Sequence, residues 1–488
     1  MSNHRKQFGA LLTGQMLSLV LSFIVPLILV RLLSTNDYGL YSQFNVVLSF
    51  CTAFFALGLS SELYYSYPTA PQKDRRILIF QSFIMLLVMG FIAGALLCIP
   101  SVREYITDDT TFKQNYHYLV LSVIVSVPEI IITALYVLNN DHKISATFLP
   151  AATIIRILLI FLFYCVSPSV KSLFFAIFLS ALLKFVFVVI YSIALIRRNY
   201  GDSLFDFGIL KEQISYSLPL GLASSTRILL QQLDKLIILG FVSPSAYAIY
   251  SIAFYGVPGL TQVYTSISQV YIPRMVVAYK NSDQTLLALL YRSMVSKTLS
   301  YTIPIIFVII LFADSIVPFV FSEKYSASVP YFRIYLSTFF IASVGCGNIL
   351  RAIGKTNKSF KAYLYSAVFV LPFTYFAIKY FNLNGAIVAA VLGNILPKII
   401  LAYYDIKMSK IPLKELYPWR DITKQFLISF ITLLPFICIH VLINPNFWLS
   451  LCFISLYLVI VFSLQIYFKV FVVTYTDVIK YINKILKR

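Results

Sequence analysis

The stretch from Pro219 to Leu239 places polar side chains inside a segment that is apolar enough to cross a lipid bilayer. Its polar residues are spaced i, i+4, i+7 and i+8, which puts them on one face of a helix: Arg227, Gln231, Asp234 and Lys235. Such a face is costly against hydrocarbon, so it must turn toward protein or trapped water. The stretch therefore predicts a membrane helix whose polar face lines an internal, hydrated space.

The composition extends this interpretation to the whole chain. Of the 488 residues, 59% are hydrophobic and 12% are charged, and the mean hydropathy is +0.84. A soluble domain of this length exposes far more polar surface, so the sequence predicts an all-α, polytopic membrane protein. The first apolar run reaches Leu33, which is too long for a cleaved signal, and we expect it to be a retained span. The six cysteines and four histidines show no paired spacing, which favours packing roles over disulfides or a metal site.

The apolar runs predict about fourteen helical spans of roughly 20 residues or more. Their approximate limits are 9–33, 39–66, 77–99, 114–139, 144–165, 171–196, 212–240, 246–272, 291–312, 329–353, 359–379, 384–405, 423–443 and 447–473. About 25 of the 39 lysines and arginines fall in loops on the side of the N-terminus, and about five fall on the other side. This bias predicts that both termini are cytoplasmic. The net charge of +20 then reflects topology and attraction to anionic lipid, and nucleic acid is not an expected partner.

A short pattern recurs after the first and seventh spans, which predicts an internal repeat. Its two copies are Ser34, Tyr38, Tyr41, Ser42 and Ser243, Tyr247, Tyr250, Ser251. Six spans per copy is an even number, so the copies share an orientation. We expect two pseudo-symmetric six-helix lobes, residues 1–200 and 212–410, joined by a link at 201–211. An extra helix pair follows at 411–475, and residues 476–488 form either an amphipathic helix on the cytoplasmic leaflet or a frayed basic tail.

Basic residues outnumber acidic ones within the predicted spans. The bases are Arg31, Arg156, Lys184, Arg227, Lys235, Arg333 and Lys398, and the acids are Glu62, Glu129 and Asp234. Arg31, Lys235 and Arg333 lie nearer the outer face, and the other four lie near the middle of their spans. A base at the bilayer centre costs about 2.5–3.5 kcal/mol, so these side chains should face a hydrated interior or one another. Because three acids cannot neutralise seven bases, the interior is predicted to be cationic, which suits a phosphate or pyrophosphate. The simplest explanation for Asp234 is an internal ion pair with Lys235. Pro128 is expected to free a backbone carbonyl that helps to solvate a charge near Glu129.

Several segments resemble the Wzx-type polysaccharide flippases of the multidrug/oligosaccharidyl-lipid/polysaccharide exporter superfamily. They are RLLSTNDYGLYSQFN at 31–45, LDKLIILGFVSPSAYAIYSIA at 233–253, YIPRM at 271–275, ILRAIGKTNKS at 349–359 and NLNGAIVAAVLGN at 382–394. The resemblance implies a MATE-like pair of six-helix lobes with alternating access. Asp234 matches the acidic residue of the family's span-seven motif, and Arg31 matches the basic position that ends span one. The other basic residues match no motif and depend on the charge argument.

The same resemblance implies transport without bond making, so an enzyme is not expected. The cargo would be an undecaprenyl-pyrophosphate-linked oligosaccharide, an O-antigen, capsular or exopolysaccharide repeat unit, moved to the periplasmic leaflet of a bacterial inner membrane. Relatives often couple transport to a proton or sodium gradient, for which Asp234, Glu129 and Glu62 are candidates, and no other cofactor is expected. Membrane lipids, the glycan polymerase and the chain-length regulator of the pathway are the implied partners. The predicted helix pair at 423–473 resembles the extra helices of lipid II flippases, which are associated with a groove for the prenyl tail.

Two alternatives remain open. A multidrug or cation antiporter of the same fold would favour an interior with excess acid, which the seven-to-three balance opposes. A membrane polysaccharide polymerase or glycosyltransferase needs catalytic residues on a sizeable outer loop. The largest predicted outer loop, from Pro100 to Lys113, is too small for a catalytic subdomain, and its acids are expected to form a solvated rim.

The predicted topology can be tested by labelling single cysteines introduced into a cysteine-free chain. We expect Asp108→Cys to react with an impermeant reagent from the periplasm and Lys355→Cys to react only from the cytoplasm, since the two loops lie on opposite sides. The reverse pattern would overturn the topology.

Overall fold

The structure is a computed structural model that describes residues 17–468 except 19, 69, 140, 200, 202, 258 and 444. Within these residues it is all-α. The first helices are α1 (Val20–Leu32), α2 (Thr35–Phe54), α3 (Leu59–Ser66), α4 (Gln72–Leu97), α5 (Pro100–Ile106), α6 (Thr110–Gln114), α7 (Tyr116–Glu129), α8 (Ile131–Leu138), α9 (His142–Val166), α10 (Val170–Arg198) and α11 (Phe207–Ile238). They are followed by α12 (Pro244–Ala253), α13 (Leu260–Lys280), α14 (Gln284–Leu311), α15 (Ala313–Phe321), a 3-10 turn (Glu323–Ser328), α16 (Val329–Ala342), α17 (Asn348–Ala352), α18 (Thr356–Ser409), α19 (Leu413–Leu416), α20 (Trp419–Ile443) and α21 (Phe447–Tyr467).

Among these described residues, eight helical segments are long and apolar enough to cross a membrane, as expected of a multi-pass membrane protein. The count of about fourteen stays a prediction, because several predicted spans are interrupted. Breaks at residues 55–58, 130, 254–259 and 343–347 divide four of them into shorter helices. Glycines in the left-handed region stand at three of these breaks: Gly58, Gly256, Gly259, Gly345 and Gly347. The predicted spans 359–379 and 384–405 form one long helix, α18, interrupted at Asn382 by a φ of 49°. The tail at 476–488 lies outside the described residues.

Helices α4 and α7 pack closely because small residues on α4 admit the backbone of α7. A Cβ added to Gly90 would lie 2.6 Å from the carbonyl oxygen of Ile124, and one added to Gly94 would lie 2.7 Å from the Ile124 side chain. Pro128 has no N–H to donate to that carbonyl, which is four residues earlier. The carbonyl that we expected to solvate a charge therefore faces α4 instead.

The chain divides into two compact units, Met1–Ala248 and Ile249–Arg488. Helix α11, which the sequence analysis assigns to the second lobe, packs against α2, α3 and α4 in the first unit. Gly221 permits this contact, since a Cβ there would lie 2.4 Å from the carbonyl group of Leu57 at the α2–α3 break. The Ser225 hydroxyl donates to the Phe54 carbonyl at 2.9 Å, which satisfies one of the free carbonyls at the end of α2. The lobe boundaries at 200 and 212 stay predictions.

In the second unit, the helix pair α20 and α21 packs on α14. Its apolar contacts involve Phe312, Leu433 and Tyr457. Polar side chains add hydrogen bonds across the helices: the Gln425 amide donates to the Ser296 carbonyl at 2.9 Å, and the Tyr457 hydroxyl donates to the carbonyl of Ser429 at 2.9 Å. Such bonds hold helices together where lipid supplies no hydrophobic drive.

The repeated Ser-Tyr-Tyr-Ser pattern has the same local role in both copies. Ser34 accepts a hydrogen bond from the Asp37 backbone at 3.1 Å and Ser243 accepts one from Ala246 at 3.3 Å, so each serine lies at the start of a helix. The tyrosines that follow are buried in both copies. The two copies therefore share local structure, and the six-span repeat stays a prediction.

The close contact between α4 and α7 gives a direct test. We expect Gly90→Ala to destabilise the purified protein by about 1–3 kcal/mol, because the new Cβ meets the backbone carbonyl of Ile124. Thermal unfolding in detergent measures this, with Phe91→Ala, an adjacent and 56% exposed position, as the matched control. Equal melting temperatures for Gly90→Ala and the wild type would contradict the packing.

Candidate functional site

One charged cluster lies among four helices of the first unit, α2, α7, α9 and α10. The Arg156 Nη2 atom on α9 donates to Oδ1 of Asn45 on α2 at 2.5 Å. The Asn45 amide nitrogen donates to the Tyr41 carbonyl at 2.8 Å, which turns the amide oxygen toward the guanidinium. Arg156 is therefore held by a neutral partner that leaves its positive charge in place.

The second pair of this cluster joins α7 and α10. The Lys184 Nζ lies 2.5 Å from Oε2 of Glu129, and the side chains are 30% and 11% exposed, respectively. The charge of Arg156 also acts on the Glu129 carboxylate. We call Asn45, Glu129, Arg156 and Lys184 the Arg156 cluster. Because one carboxylate faces two bases, the cluster carries a net positive charge.

Two further predicted bases of the first unit lie on α1 and α11. Arg31 is exposed at the end of α1, and Lys235 is half-buried on α11. The neighbouring Asp234 is 6% exposed, and the predicted internal ion pair between Asp234 and Lys235 stays a prediction. The side chains of Arg227 and Gln231, the other half of the polar face, lie outside the described part of the structure.

Arg333, in the second unit, has local partners that the sequence analysis did not identify. Its guanidinium donates to the carbonyls of Ile310 and Leu311 at 2.9 and 3.3 Å, and it lies 2.5 Å from the Asp314 carboxylate. Arg333 thus caps the C-terminal end of α14, where a cation is favoured. Its partner Asp314 is a carboxylate that the count of three acids against seven bases left out, so Arg333 does not add to the surplus of positive charge.

Lys398 differs from Arg333. It is half-buried on α18, and no hydrogen bond or ion pair joins its ammonium group to another residue in the described part of the chain. Lys398 therefore keeps its place among the candidate basic residues.

Two buried carboxylates lack a basic partner among the described residues. Glu62 on α3 is fully buried and contacts Gln213 of α11, whose Nε2 atom lies 3.1 Å from its Oε2 atom. Asp405 on α18, which the sequence analysis overlooked, is also fully buried. It accepts from the backbone of Gly347 at 2.6 Å and of Leu350 at 3.0 Å, and so caps α17. Asp405 is explained by this cap, whereas Glu62 is not.

Sequence reasoning missed the neutral partners, Asn45 and Gln213. A usable signal was present in the segment ILIFQSFIMLL of α4, where Gln81 and Ser82 interrupt an apolar run. A buried amide in hydrocarbon requires a partner, so such a pair indicates a polar contact inside the bundle.

The predicted outer loop at 100–114 has contacts of its own. Asp109 caps α6 by accepting from the Phe112 backbone at 2.9 Å, and Asp108 lies 3.4 Å from the Lys113 ammonium group. Arg103 lies over the Tyr116 ring at 5.4 Å. Asp109 therefore has a structural role in this loop, and the solvated rim stays a prediction.

Comparison with known proteins agrees with this architecture. A family profile described as "Polysaccharide biosynthesis protein" matches residues 28–330. The capsular polysaccharide biosynthesis protein CapF of Staphylococcus aureus is 21% identical over 418 residues, which cover 82% of this chain and 98% of CapF.

Two solved structures share the fold. The lipid II flippase MurJ in an inward closed conformation has a TM-score of 0.77 at 14% identity, covering 94% of this chain and 98% of MurJ. An inward-facing MATE family multidrug resistance transporter of the MOP superfamily has a TM-score of 0.66 at 15% identity, covering 82% of this chain and 98% of the transporter. The resemblance drawn from the sequence motifs is confirmed, and the chain belongs to the polysaccharide biosynthesis protein family, with the fold of the MOP exporters.

Proposed function

We propose that this protein is a flippase for an undecaprenyl-pyrophosphate-linked oligosaccharide, a repeat unit of an O-antigen, capsule or exopolysaccharide. It moves the head group from the cytoplasmic to the periplasmic leaflet of the inner membrane by alternating access. The observation that carries this proposal is the Arg156 cluster, in which Lys184 pairs with Glu129 and Arg156 is bonded to the neutral amide of Asn45 within the bundle.

The charge balance of the cluster favours an anionic cargo. Keeping a base inside a membrane protein is expensive, so an unmatched one indicates a ligand or a hydrated path. Arg156 is bonded to a neutral amide, and its remaining N–H groups can bind a phosphate oxygen in bidentate fashion. Arg31, Arg227, Lys235 and Lys398 are further candidates for the same cargo. The prenyl chain stays in lipid during this exchange.

The comparisons support the proposal without specifying the cargo. The family is described as polysaccharide biosynthesis proteins. CapF is described as a capsular polysaccharide biosynthesis protein, and MurJ is described as a lipid II flippase. The excess of basic residues in loops on the N-terminal side supports an inner-membrane protein with cytoplasmic termini. The glycan polymerase and chain-length regulator of the pathway are the proposed protein partners.

A multidrug antiporter is the second candidate, because MATE transporters share the fold. Cationic drugs would be repelled by the net positive charge of the Arg156 cluster, which favours the flippase. A coupling ion needs a carboxylate that is not already paired with a basic side chain. Glu129 is engaged by Lys184 and Asp234 adjoins Lys235, whereas Glu62 contacts only neutral groups among the described residues.

The substrate role of the cluster can be tested by export. We expect Arg156→Ala and Arg227→Ala to lower surface glycan about 10- to 100-fold at normal protein levels, since a charged hydrogen bond contributes about 1.5–3 kcal/mol. Surface glycan per cell and the amount of protein in membranes are measured together. Lys171→Ala, an exposed base at the start of α10, is the matched control. Full export by both variants would remove the role assigned to these arginines.

A double-mutant cycle separates a structural role of Lys184 from a substrate role. Glu129→Gln and Lys184→Met should each destabilise the protein, and the double variant should recover part of the loss, with a coupling of about 0.5–3 kcal/mol. We expect the double variant to stay deficient in export, because one base of the cluster is gone. Recovery of both stability and export would show that Lys184 serves only as the partner of Glu129.

A further inference from the structure

A narrow apolar groove lies between α4 and α11 in the first unit. Its volume is about 330 Å³, and the described residues that line it are apolar except for Gln81 and Ser217. The lined part of α4, from Phe80 to Met89, is about 13 Å long. Apolar side chains recur every four residues along the groove, on one face of each helix: Phe80, Ile84, Val88 and Leu210, Ile214, Leu218.

The walls of the groove are exposed within predicted membrane spans. Ile84 and Val88 are 38% and 47% exposed, and Ile214 and Leu218 are each 42% exposed. In a bilayer such side chains contact hydrocarbon, and an apolar groove beside them stays free of water. A volume of about 330 Å³ over about 13 Å leaves a cross-section of about 25 Å², which excludes a helix about 10 Å wide. The occupant that fits is a single hydrocarbon chain.

The length of the groove distinguishes two kinds of chain. One leaflet of a bilayer provides about 15 Å of hydrocarbon, which is close to the length of about 13 Å that is lined on α4. The acyl chain of a phospholipid ends within one leaflet, whereas an undecaprenyl chain is several times longer than a leaflet is deep. The groove therefore fits an acyl chain.

Arg76 stands at one end of this groove, four residues before Phe80 and on the same face of α4. Its Nη1 atom donates to the carbonyl of Gly201 in the link before α11. Its Nε atom is buried and has no hydrogen-bond partner within the described part of the chain. Buried N–H groups are nearly always satisfied, and a guanidinium binds phosphate oxygens well. The unmet donor therefore indicates an anionic group at this end of the groove.

Two lysines lie at the same end. Lys73 is exposed in the first turn of α4, and a Cβ added to Gly201 would lie 3.3 Å from its carbonyl oxygen. Lys211 is exposed near the start of α11, one residue after a side chain that lines the groove. This part of α11 packs on α4, since Gln213 Nε2 lies 2.9 Å from the Ser82 hydroxyl.

The charge balance at this end favours an anion. Residues 72–76 and 197–212 together hold six bases and four acids, which leaves a net positive charge. Both segments adjoin the starts of predicted spans, where lipid head groups lie. Basic groups at that level attract anionic lipids, whereas a zwitterionic head group gains less from them.

We propose that the groove binds an anionic phospholipid. One acyl chain lies between α4 and α11, and the phosphate is bound by Arg76 together with Lys73 and Lys211. The bound lipid holds the start of α11 against α4, beside the α2–α3 break. This site is separate from the Arg156 cluster and does not rest on the proposed function.

The head-group contact is tested with the purified full-length protein in detergent. Phosphatidylglycerol or phosphatidylcholine with the same acyl chains is added in equal amounts, and bound lipid is counted by native mass spectrometry. We expect phosphatidylglycerol to bind at least about tenfold more tightly and to raise the melting temperature by at least about 2 °C more. Equal binding of the two lipids would overturn the proposal.

Neutralising the bases should remove this preference. We expect the triple variant Lys73→Gln, Arg76→Gln, Lys211→Gln to lose the tenfold difference. The matched control is Lys280→Gln, Lys407→Gln, Lys414→Gln, which removes three exposed charges on the same predicted side of the membrane and should keep the preference. Equal losses in both triple variants would show general attraction to charge and would overturn the site.

A second variant tests the groove and leaves every base in place. Val88→Trp should fill the groove and weaken phosphatidylglycerol binding at least about tenfold, at an unchanged melting temperature in detergent alone. Phe91→Trp, at a 56% exposed position of α4, is the control and should bind as the wild type does. Unchanged binding by Val88→Trp would overturn the proposal. Displacement of phosphatidylglycerol by an equal amount of undecaprenyl pyrophosphate would assign the groove to a prenyl chain instead.

Discussion

The structure depends on the need to satisfy every polar group that lies among apolar helices. Water cannot do this within the hydrocarbon layer, so the partners must come from other helices of the protein. Asn45 meets Arg156, Lys184 meets Glu129, and Gln425 meets Ser296. Each contact joins two or more helices, so the same bonds that satisfy the polar groups also determine which helices are neighbours.

The interrupted helices are connected with the buried carboxylates. Glu62 follows the α2–α3 break, Glu129 ends α7 at the break before α8, and Asp405 caps α17 after the break at Gly347. A break exposes backbone donors and acceptors that a continuous helix would satisfy internally. At α17 the carboxylate satisfies two of these donors. At the other two breaks the carboxylate faces side chains of neighbouring helices, which leaves its charge available for an ion or a base.

Four charges among the described residues fall into two kinds, and the distinction determines which of them can act on a ligand. Arg333 and Asp405 have their hydrogen-bonding capacity taken up by the ends of helices and by Asp314. Arg156 and Glu62 instead meet neutral amides, which orient the charged group without cancelling its charge. The first kind stabilises the fold. Arg156, which is of the second kind, supports the proposed function, because its charge stays available to an anionic head group.

The sequence by itself determined the class of protein, most helix positions and the family, because apolar runs, loop charges and motifs are local features of a chain. It also identified Arg156, Lys184, Glu129 and Glu62 as charges that needed partners. The tertiary structure decided which partners they have, because the partners are far apart in the sequence. Asn45 and Arg156 are 111 residues apart, Glu129 and Lys184 are 55 apart, and Glu62 and Gln213 are 151 apart. It also decided that Arg333 is matched by Asp314 and that α11 packs in the first unit. Periodicity shows which face of a helix is polar, but only the packing of helices brings a particular amide or carboxylate to that face.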